Sequence, residues 1–268
     1  MKKFDRLSRI LKDMESAVLA YSGGADSTFL LKTAQLCGIK SLAVTAVSDI
    51  FPRKDILAAQ EMAKQLGLEH RFIETDELAL NQFAENTPAR CFLCKDALFR
   101  TLKDVANAEG YKFVIDGSNS DDASDYRPGK QAAHKHRVRS PLAEAEFSKR
   151  DIRECSRQLG LSTWDKPSSS CLATRFPYGQ KITRKALRRV AKAEDFLGSL
   201  GFRQLRVRDH DGTARIEVGE EEMDLLLNTE KRKIISETLK SLGYIFVSLD
   251  LDGYRTGSLN RALDRKKD

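Results

Sequence analysis

The sequence has 268 residues, of which 41% are hydrophobic and 32% charged, and its 46 Lys and Arg against 39 Asp and Glu give a net charge of +7. This composition excludes a fibrous or low-complexity chain, and no window approaches the roughly 18 apolar residues of a membrane-spanning helix. We therefore expect a globular cytoplasmic protein with no membrane partner. The positive charge suits an anionic partner such as RNA or a phosphorylated small molecule, or equally a soluble basic surface.

The first part of the chain alternates between short apolar runs and helical patterns. Residues 17–21 are apolar, residues 22–24 form a tight loop, and residues 28–36 have helical periodicity. Further strands are predicted at 41–47, 69–73 and 113–116, and further helices at 54–66 and 95–108. This series predicts an α/β fold in which helices cover both faces of a parallel sheet.

The second part of the chain has a different pattern. Ser148 and Asp151 form an Ser-x-x-Asp cap before a predicted helix at 152–159, and residues 163–179 are predicted to be a loop. Beyond the loop the pattern predicts a helix, a hairpin, a second helix and a strand, at 184–200, 204–218, 230–242 and 244–249. We expect one domain at 1–178 and a smaller C-terminal α+β domain at 179–268.

A glycine-rich loop, Ser22-Gly23-Gly24-Ala25-Asp26-Ser27, lies between the first strand and its helix. Two glycines let the backbone approach an anion closely, and the helix directs free N–H groups toward it. The loop lacks the Gly-Lys-Ser/Thr ending that positions a lysine for γ-phosphoryl transfer. Cleavage beside the α-phosphate, with release of pyrophosphate, is therefore the expectation, and a glycine turn without a ligand is the alternative.

In this order of strand, loop and helix, the segment resembles the PP-loop ATP-pyrophosphatase superfamily, which has an adenine nucleotide alpha hydrolase-like, Rossmann-like domain. The resemblance implies that Ser22, Gly23, Gly24, Asp26 and Ser27 bind the pyrophosphate end of ATP, with Asp26 also among the catalytic residues.

The resemblance extends to residues 116–122, DGSNSDD, at the end of a later strand. Ligands of open α/β sheets lie beyond the carboxyl ends of strands, so this loop, including Gly117, should share the nucleotide cleft. Asp116, Asp121 and Asp122 have the oxygen ligands that Mg²⁺ takes, although the same residues also favour turns.

Four further segments are more specific: DGSNSDDASDYRPG, WDKPSSSCLATRFPYG, Arg206-Val207-Arg208 followed by Ile216-Glu217, and SLDLDGYRTGSLN. Together they resemble the LarE family of ATP-dependent sulfur transferases over nearly the whole chain. That family builds the nickel-pincer nucleotide cofactor from pyridinium-3,5-biscarboxylic acid mononucleotide. The resemblance implies that each carboxylate is adenylated, attacked by sulfur and released from AMP as a thiocarboxylate.

The same resemblance implies roles for residues in the C-terminal part. Arg175, Arg206 and Arg208 would hold the phosphate of the mononucleotide substrate, since guanidinium groups bind phosphate oxygens in pairs. Glu217 matches an acidic position near the substrate and Glu194 a catalytic one, although mid-helix carboxylates are commonly on the surface. The role of Asp250, in the last motif, stays open.

Five cysteines, without a secretion signal, favour thiols or metal ligands over disulfides. Cys37 and Cys155 fall in helical patterns and are predicted to be inert. In part of the LarE family one loop cysteine gives up its own sulfur and becomes dehydroalanine, which Cys171 matches. Cys91 and Cys94, with Cys171, resemble the other branch, in which three cysteines hold a [4Fe-4S] cluster that carries an extra sulfide.

Several alternatives remain open from sequence. Zinc or a redox-active Cys-x-x-Cys would also use Cys91 and Cys94. A tRNA thiolase shares the PP-loop and three cysteines, but this sequence has no paired Cys-x-x-Cys zinc modules, so nucleic acid is not the expected partner. A nucleotide-gated iron-sulfur carrier is a third class. The expected partners are the mononucleotide, sulfide or another sulfur supplier, and further copies of the chain in a homo-oligomer.

Overall fold

The computed structural model describes residues 2–124, 129–255 and 257–261. Positions 125–128 of the DGSNSDDASDYRPG motif and Thr256 of the last motif lie outside the described residues. The chain divides into two compact units, the first comprising residues 1–76 and 89–169 and the second residues 77–88 and 170–268. The domain boundary after residue 178 remains a prediction. The boundary between the two compact units lies after Ser169, and residues 77–88 belong to the second unit.

The strands and helices of the described residues are numbered in chain order. The strands are β1 Ser16–Ala20, β2 Lys40–Val47, β3 His70–Glu74, β4 Phe113–Ile115, β5 Leu205–His210, β6 Thr213–Val218 and β7 Phe246–Leu249. The α-helices are α1 Lys2–Met14, α2 Ala25–Leu36, α3 Arg53–Gln65, α4 Asn81–Ala84, α5 Arg90–Ala108, α6 Gly129–Lys135, α7 Pro141–Glu144, α8 Lys149–Gln158, α9 Arg184–Ser199, α10 Met223–Leu227 and α11 Thr229–Ser241. Short 3-10 turns include Ser120–Ser124 and Leu172–Arg175.

In the first unit, the described strands form a parallel sheet of order β3-β2-β1-β4. Alternate residues face opposite sides: Leu19 packs with Phe29 of α2, whereas Val18 packs with Phe99 of α5. The buried layers on both faces explain why residues 17–20 of the central strand β1 are apolar without alternation. The predicted α/β class is confirmed, with a Rossmann-like arrangement of helices on both faces of the sheet.

Helix α1 was not predicted, because charged residues dominate its sequence. Leu7, Leu11 and Met14 are nevertheless fully buried and recur at spacings of four and three, so they form one apolar face. The predicted cap of α8 is confirmed, since the Ser148 side chain accepts a hydrogen bond from the Asp151 N–H and the Asp151 carboxylate accepts one from the Ser148 N–H.

In the second unit, β5 and β6 form the predicted antiparallel hairpin, and β7 pairs parallel to β6. Asp211 and Gly212 have φ of 46° and 89°, which is the left-handed pair that a two-residue hairpin turn requires. Leu197 of α9 and Leu239 of α11 pack with Val207 and Ile216 of the sheet. This arrangement confirms the α+β class of the C-terminal part. No helix among the described residues is long and apolar enough to cross a membrane.

Candidate active site

The glycine-rich loop leaves the carboxyl end of β1 and presses against α3. Gly23 has φ +65°, and a Cβ built on it would lie 2.6 Å from the Cβ of Ala59. Both the backbone conformation and the contact therefore require glycine. The backbone of the loop at Gly23 is therefore packed directly against α3.

Helix α2 begins directly after this loop, with Gly24 in extended backbone as its N-cap and no side-chain cap. The Ser22 and Ser27 hydroxyl oxygens lie 3.1 Å apart, and the Ser27 hydroxyl donates to the Gly24 carbonyl. The first N–H groups of an α-helix have no acceptor within the helix, and the positive end of the helix dipole lies there. An anion such as a phosphate group suits this position.

A second loop follows β4 and meets the first. A Cβ built on Gly117 would lie 3.1 Å from the backbone nitrogen of Ser27, so the two loops approach as closely as glycine permits. The Asn119 amide donates to the Asp26 carboxylate at 3.1 Å. Strands β1 and β4 are neighbours at the point where the strand order reverses, which is where open α/β sheets bind ligands.

The carboxylates of Asp26 and Asp116, at the first and second loop, have different surroundings. Burial, together with repulsion from Asp122, raises the pKa of Asp26, opposed by the Asn119 hydrogen bond and by Lys149 and Arg153. The Asp116 carboxylate accepts hydrogen bonds from the N–H and hydroxyl of Ser118 and from the Ser140 hydroxyl, so it shapes its own loop. Asp26 is therefore a carboxylate that a cation would stabilise.

The second unit contains two buried arginine–glutamate pairs on neighbouring elements. Arg175 donates from Nε and Nη2 to the two Glu194 oxygens, each at 2.9 Å. Arg208 donates similarly to Glu217 at 2.9 and 2.7 Å. The Arg206 guanidinium lies 4.8 Å above the Tyr254 ring. Burial and the positive charges of Arg175 and Arg208 lower the pKa of Arg206.

The chain has relatives that match it over nearly its whole length. No protein-family model matches it. It is 37% identical over 258 residues to the pyridinium-3,5-bisthiocarboxylic acid mononucleotide synthase of Lactiplantibacillus plantarum, covering 95% of this chain and 92% of that protein. The chain belongs to the LarE family. An uncharacterised protein of Synechocystis sp. is 42% identical to this chain, and the match covers 98% of each chain. An uncharacterised protein of Methanocaldococcus jannaschii is 31% identical, and the match covers 96% of this chain and 98% of that protein.

In this LarE-family chain the predicted site residues fall into two groups. The first unit brings together Ser22, Gly23, Gly24, Asp26, Ser27 and Gly117 at the two loops. The second unit brings together Cys171, Arg175, Glu194, Arg206, Arg208 and Glu217. The assigned roles remain predictions. Because Arg175 and Arg208 already donate to Glu194 and Glu217, phosphate would have to compete with these carboxylates.

One residue that contacts the glycine-rich loop was not predicted from the sequence. The Lys166 ammonium donates to the Gly23 carbonyl at 3.2 Å and lies 3.3 Å from the Asp55 carboxylate. The Ser169 hydroxyl donates to the same Asp55 at 2.6 Å. A cation thus lies at the glycine loop although the loop sequence contains none. The only signal was that Lys166 lies in a motif already matched to the LarE family.

The five cysteines are distributed over both units of the chain. Cys91 and Cys94 lie one helical turn apart at the start of α5 in the first unit, and Cys171 lies in the second unit. None of the five cysteines is in a disulfide. In the described ranges, no three or more His, Cys, Asp or Glu side chains are placed to hold a metal ion. The three-cysteine cluster and the magnesium site at Asp116, Asp121 and Asp122 therefore remain predictions.

Replacement of Asp26 by Asn is expected to stabilise the ligand-free protein near neutral pH. A carboxyl group whose pKa is raised by folding destabilises the folded state once pH exceeds its ordinary pKa, because the folded environment disfavours the charge. The gain in thermal midpoint should therefore be present near pH 7.5 and shrink as pH falls toward the ordinary aspartate pKa. Thermal unfolding across pH measures this.

The control for this prediction is Asp252→Asn. A hydrogen bond from Arg261 lowers the pKa of the exposed Asp252 carboxyl, so removing its charge should bring no such gain. An Asp26→Asn midpoint equal to or below that of the unmodified protein near neutral pH would contradict the prediction.

Proposed function

We propose that this chain uses ATP to adenylate the carboxylates of pyridinium-3,5-biscarboxylic acid mononucleotide and replaces carboxylate oxygen with sulfur. The observation that carries the proposal is 37% identity, over 95% of the chain, to a synthase whose name specifies the corresponding bisthiocarboxylic acid mononucleotide. The loop after β1 supports the use of ATP, because it offers an anion site without a lysine for γ-phosphoryl transfer.

In the first half-reaction, a substrate carboxylate oxygen attacks the α-phosphorus of ATP, and the bond to the β-phosphate oxygen breaks. Pyrophosphate leaves and an acyl-adenylate forms. N–H groups at the start of α2 and the Lys166 ammonium are suited to hold the departing pyrophosphate, since both supply positive charge at the loop. Mg²⁺ commonly binds one or two carboxylates together with substrate phosphates, and Asp26 and Asp122 are the carboxylates that repel one another here.

In the second half-reaction, a sulfur nucleophile adds to the acyl carbon and AMP leaves with the original carboxylate oxygen. If Cys171 is the donor, the product is a thioester to its sulfur. Loss of the Cys171 Cα proton and cleavage of the Cβ–S bond then leave a thiocarboxylate and dehydroalanine. A [4Fe-4S] cluster on Cys91, Cys94 and Cys171 would instead supply a sulfide and spare the cysteine.

The mononucleotide phosphate is proposed to bind beside Arg206. Burial and the neighbouring cations Arg175 and Arg208 disfavour the charge of Arg206, Glu194 opposes this effect, and a bound anion would stabilise the Arg206 charge further. The ring of Tyr254, stacked against Arg206, limits where the guanidinium can point.

Replacement of Arg206 by Ala is therefore expected to weaken binding of nicotinamide mononucleotide, used as a substrate analogue, more than tenfold. Loss of a charge-assisted contact costs on the order of 1.5 to 3 kcal/mol. ATP affinity should stay nearly unchanged, and Arg203→Ala, at an exposed position, is the matched control. Calorimetric titration measures both ligands, and equal analogue affinity in the Arg206 and Arg203 variants would refute the assignment.

Product analysis tests the proposed function. Incubation with ATP, the pyridinium dicarboxylate mononucleotide and sulfide should form AMP and pyrophosphate only when the dicarboxylate is present, together with a thiocarboxylate detected by mass spectrometry. ADP and phosphate as the main products, or AMP formation independent of the dicarboxylate, would count against it.

A further inference from the structure

The segment that carries Cys171 is a short turn of the second unit, residues 170–175. Cys171 precedes the 3-10 turn Leu172–Arg175, and its carbonyl accepts hydrogen bonds from the Thr174 N–H at 3.1 Å and the Thr174 hydroxyl at 2.8 Å. Leu172 and Ala173 are buried. The orientation of Cys171 therefore depends on a six-residue turn that contains one 3-10 turn but no α-helix or strand.

The buried side chain of Arg175 forms hydrogen bonds to this turn. Its Nη1 lies within hydrogen-bond distance of the Ser170 carbonyl and hydroxyl, both at 2.8 Å, and of the Cys171 carbonyl and the Thr174 hydroxyl, both at 3.0 Å. Its remaining donors, Nε and Nη2, bind Glu194, and the side chain is 2% exposed. Glu194 is fixed in turn, because its Oε1 accepts from the Val207 N–H at 3.0 Å.

Arg208, a residue of strand β5, also binds this turn. Its Nη1 donates to the Thr174 carbonyl at 2.8 Å, while Nε and Nη2 bind Glu217. Glu217 is fully buried and also accepts from Arg215 at 3.0 Å. Two planar guanidinium groups, each oriented by a buried carboxylate, thus bind three backbone carbonyls of the turn.

Stability alone is a weak explanation for this arrangement. Removing two charges from water costs several kcal/mol per ion, and a buried ion pair often contributes no more than packed apolar residues would. What the pairs do provide is a fixed direction for every guanidinium donor. The Nη1 group of each arginine is thereby oriented toward backbone carbonyls of the turn that contains Cys171.

We propose that Arg175 and Arg208 are positioning residues that hold the thiol of Cys171 in place, with Glu194 and Glu217 orienting their guanidinium groups. The inference rests on the proposed function insofar as it treats Cys171 as the thiol that participates in sulfur transfer. It gives Arg175 and Arg208 a different role from the phosphate binding predicted from sequence.

Alkylation of Cys171 tests this role without requiring activity. In the full-length reduced protein without ATP, the rate of iodoacetamide labelling at Cys171 is measured by peptide mass spectrometry. Arg175→Lys keeps a charge for Glu194 but cannot bind the turn at the same time, so the turn should open and labelling at Cys171 should rise roughly fivefold, the equivalent of one hydrogen bond. Labelling at Cys91 in the same sample should not change.

The matched control is Arg189→Lys. Arg189 makes a comparable pair with the buried Asp209, at 3.1 and 2.7 Å, and also binds the Gly243 carbonyl, but it makes no hydrogen bond to residues 170–175 in the described part of the chain. Its variant should label Cys171 at the unmodified rate. Equal increases in both variants, or an increase at all cysteines, would indicate general loosening and overturn the proposal.

A second variant keeps the proposal testable if Arg175→Lys does not fold. Thr174→Val removes the hydroxyl that binds the Cys171 carbonyl and Arg175 while leaving both ion pairs intact. It should also raise labelling at Cys171, and an unchanged rate would overturn the proposal. Failure of the unmodified protein to form a thiocarboxylate would instead refute the proposed function, because the labelling rates do not depend on it.

Discussion

Replacement of Cys171 by Ala is expected to abolish thiocarboxylate formation, by at least about a thousandfold, while substrate-dependent pyrophosphate release persists for the first turnover. The expectation follows because both proposed routes to sulfur transfer require this thiol, whereas adenylation is proposed to occur at the loops of the first unit. A loss of a thousandfold corresponds to about 4 kcal/mol in the barrier. Quantified mass spectrometry of the product, alongside AMP measurement, gives both rates.

The cysteine controls separate the two routes. Cys37→Ala and Cys155→Ala should retain activity, because both residues pack against the core of the first unit and burial raises the pKa of Cys155, which keeps its thiol protonated. Cys91→Ala and Cys94→Ala should remove iron and activity together if a cluster supplies the sulfide. If Cys171 gives up its own sulfur, those two variants should stay active and residue 171 should become dehydroalanine. Full activity of Cys171→Ala would contradict both routes.

Replacement of Gly23 by Ala is expected to reduce ATP-dependent turnover at least about a hundredfold. The new methyl would lie 2.6 Å from the Ala59 Cβ and would occupy a left-handed backbone conformation, so the loop must move away from α3. The hydrogen bond from Lys166 to the Gly23 carbonyl would be lost with that movement. A hundredfold effect corresponds to about 2.7 kcal/mol, which a misplaced phosphate loop can account for.

The control for Gly23 is Gly67→Ala. Gly67 has φ +64°, nearly the same conformation, but nothing lies within 4 Å of a Cβ built there. That variant should lose only the roughly 1 kcal/mol of a left-handed alanine and should turn over ATP normally. Equal turnover in the two variants would show that the contact between the loop and α3 is unimportant.

Much of the fold could be predicted from sequence because local pattern and tertiary role agree. Residues 17–20 of strand β1 are all apolar because both faces of the sheet are covered. The cap at Ser148 and the turn at Asp211 and Gly212 depend only on neighbouring residues. Helix α1 was not predicted, because charged residues separate Leu7, Leu11 and Met14 and make its apolar face only three residues long.

The site was harder to predict because its contacts join distant residues. No local pattern indicates that Lys166 reaches Gly23, or that Arg175 pairs with Glu194 across 19 positions. The sequence motif identified Arg175 as a site residue but did not identify Glu194 as its partner. A buried arginine that already donates to a carboxylate and to backbone carbonyls has fewer donors for a phosphate group. Likewise, the inclusion of 77–88 in the second unit follows from packing such as the Asn86 amide bonding the Phe176 and Pro177 carbonyls.

The transfer of oxygen from the substrate to AMP tests the central claim most directly. The mononucleotide is prepared with ¹⁸O in its carboxylates and incubated with ATP and sulfide, and the AMP formed is analysed by mass spectrometry. If a carboxylate oxygen attacks the α-phosphorus and is then replaced by sulfur, each thiocarboxylate formed should be matched by one AMP that carries one ¹⁸O. Unlabelled AMP accompanying thiocarboxylate, or ADP in place of AMP, would contradict the account.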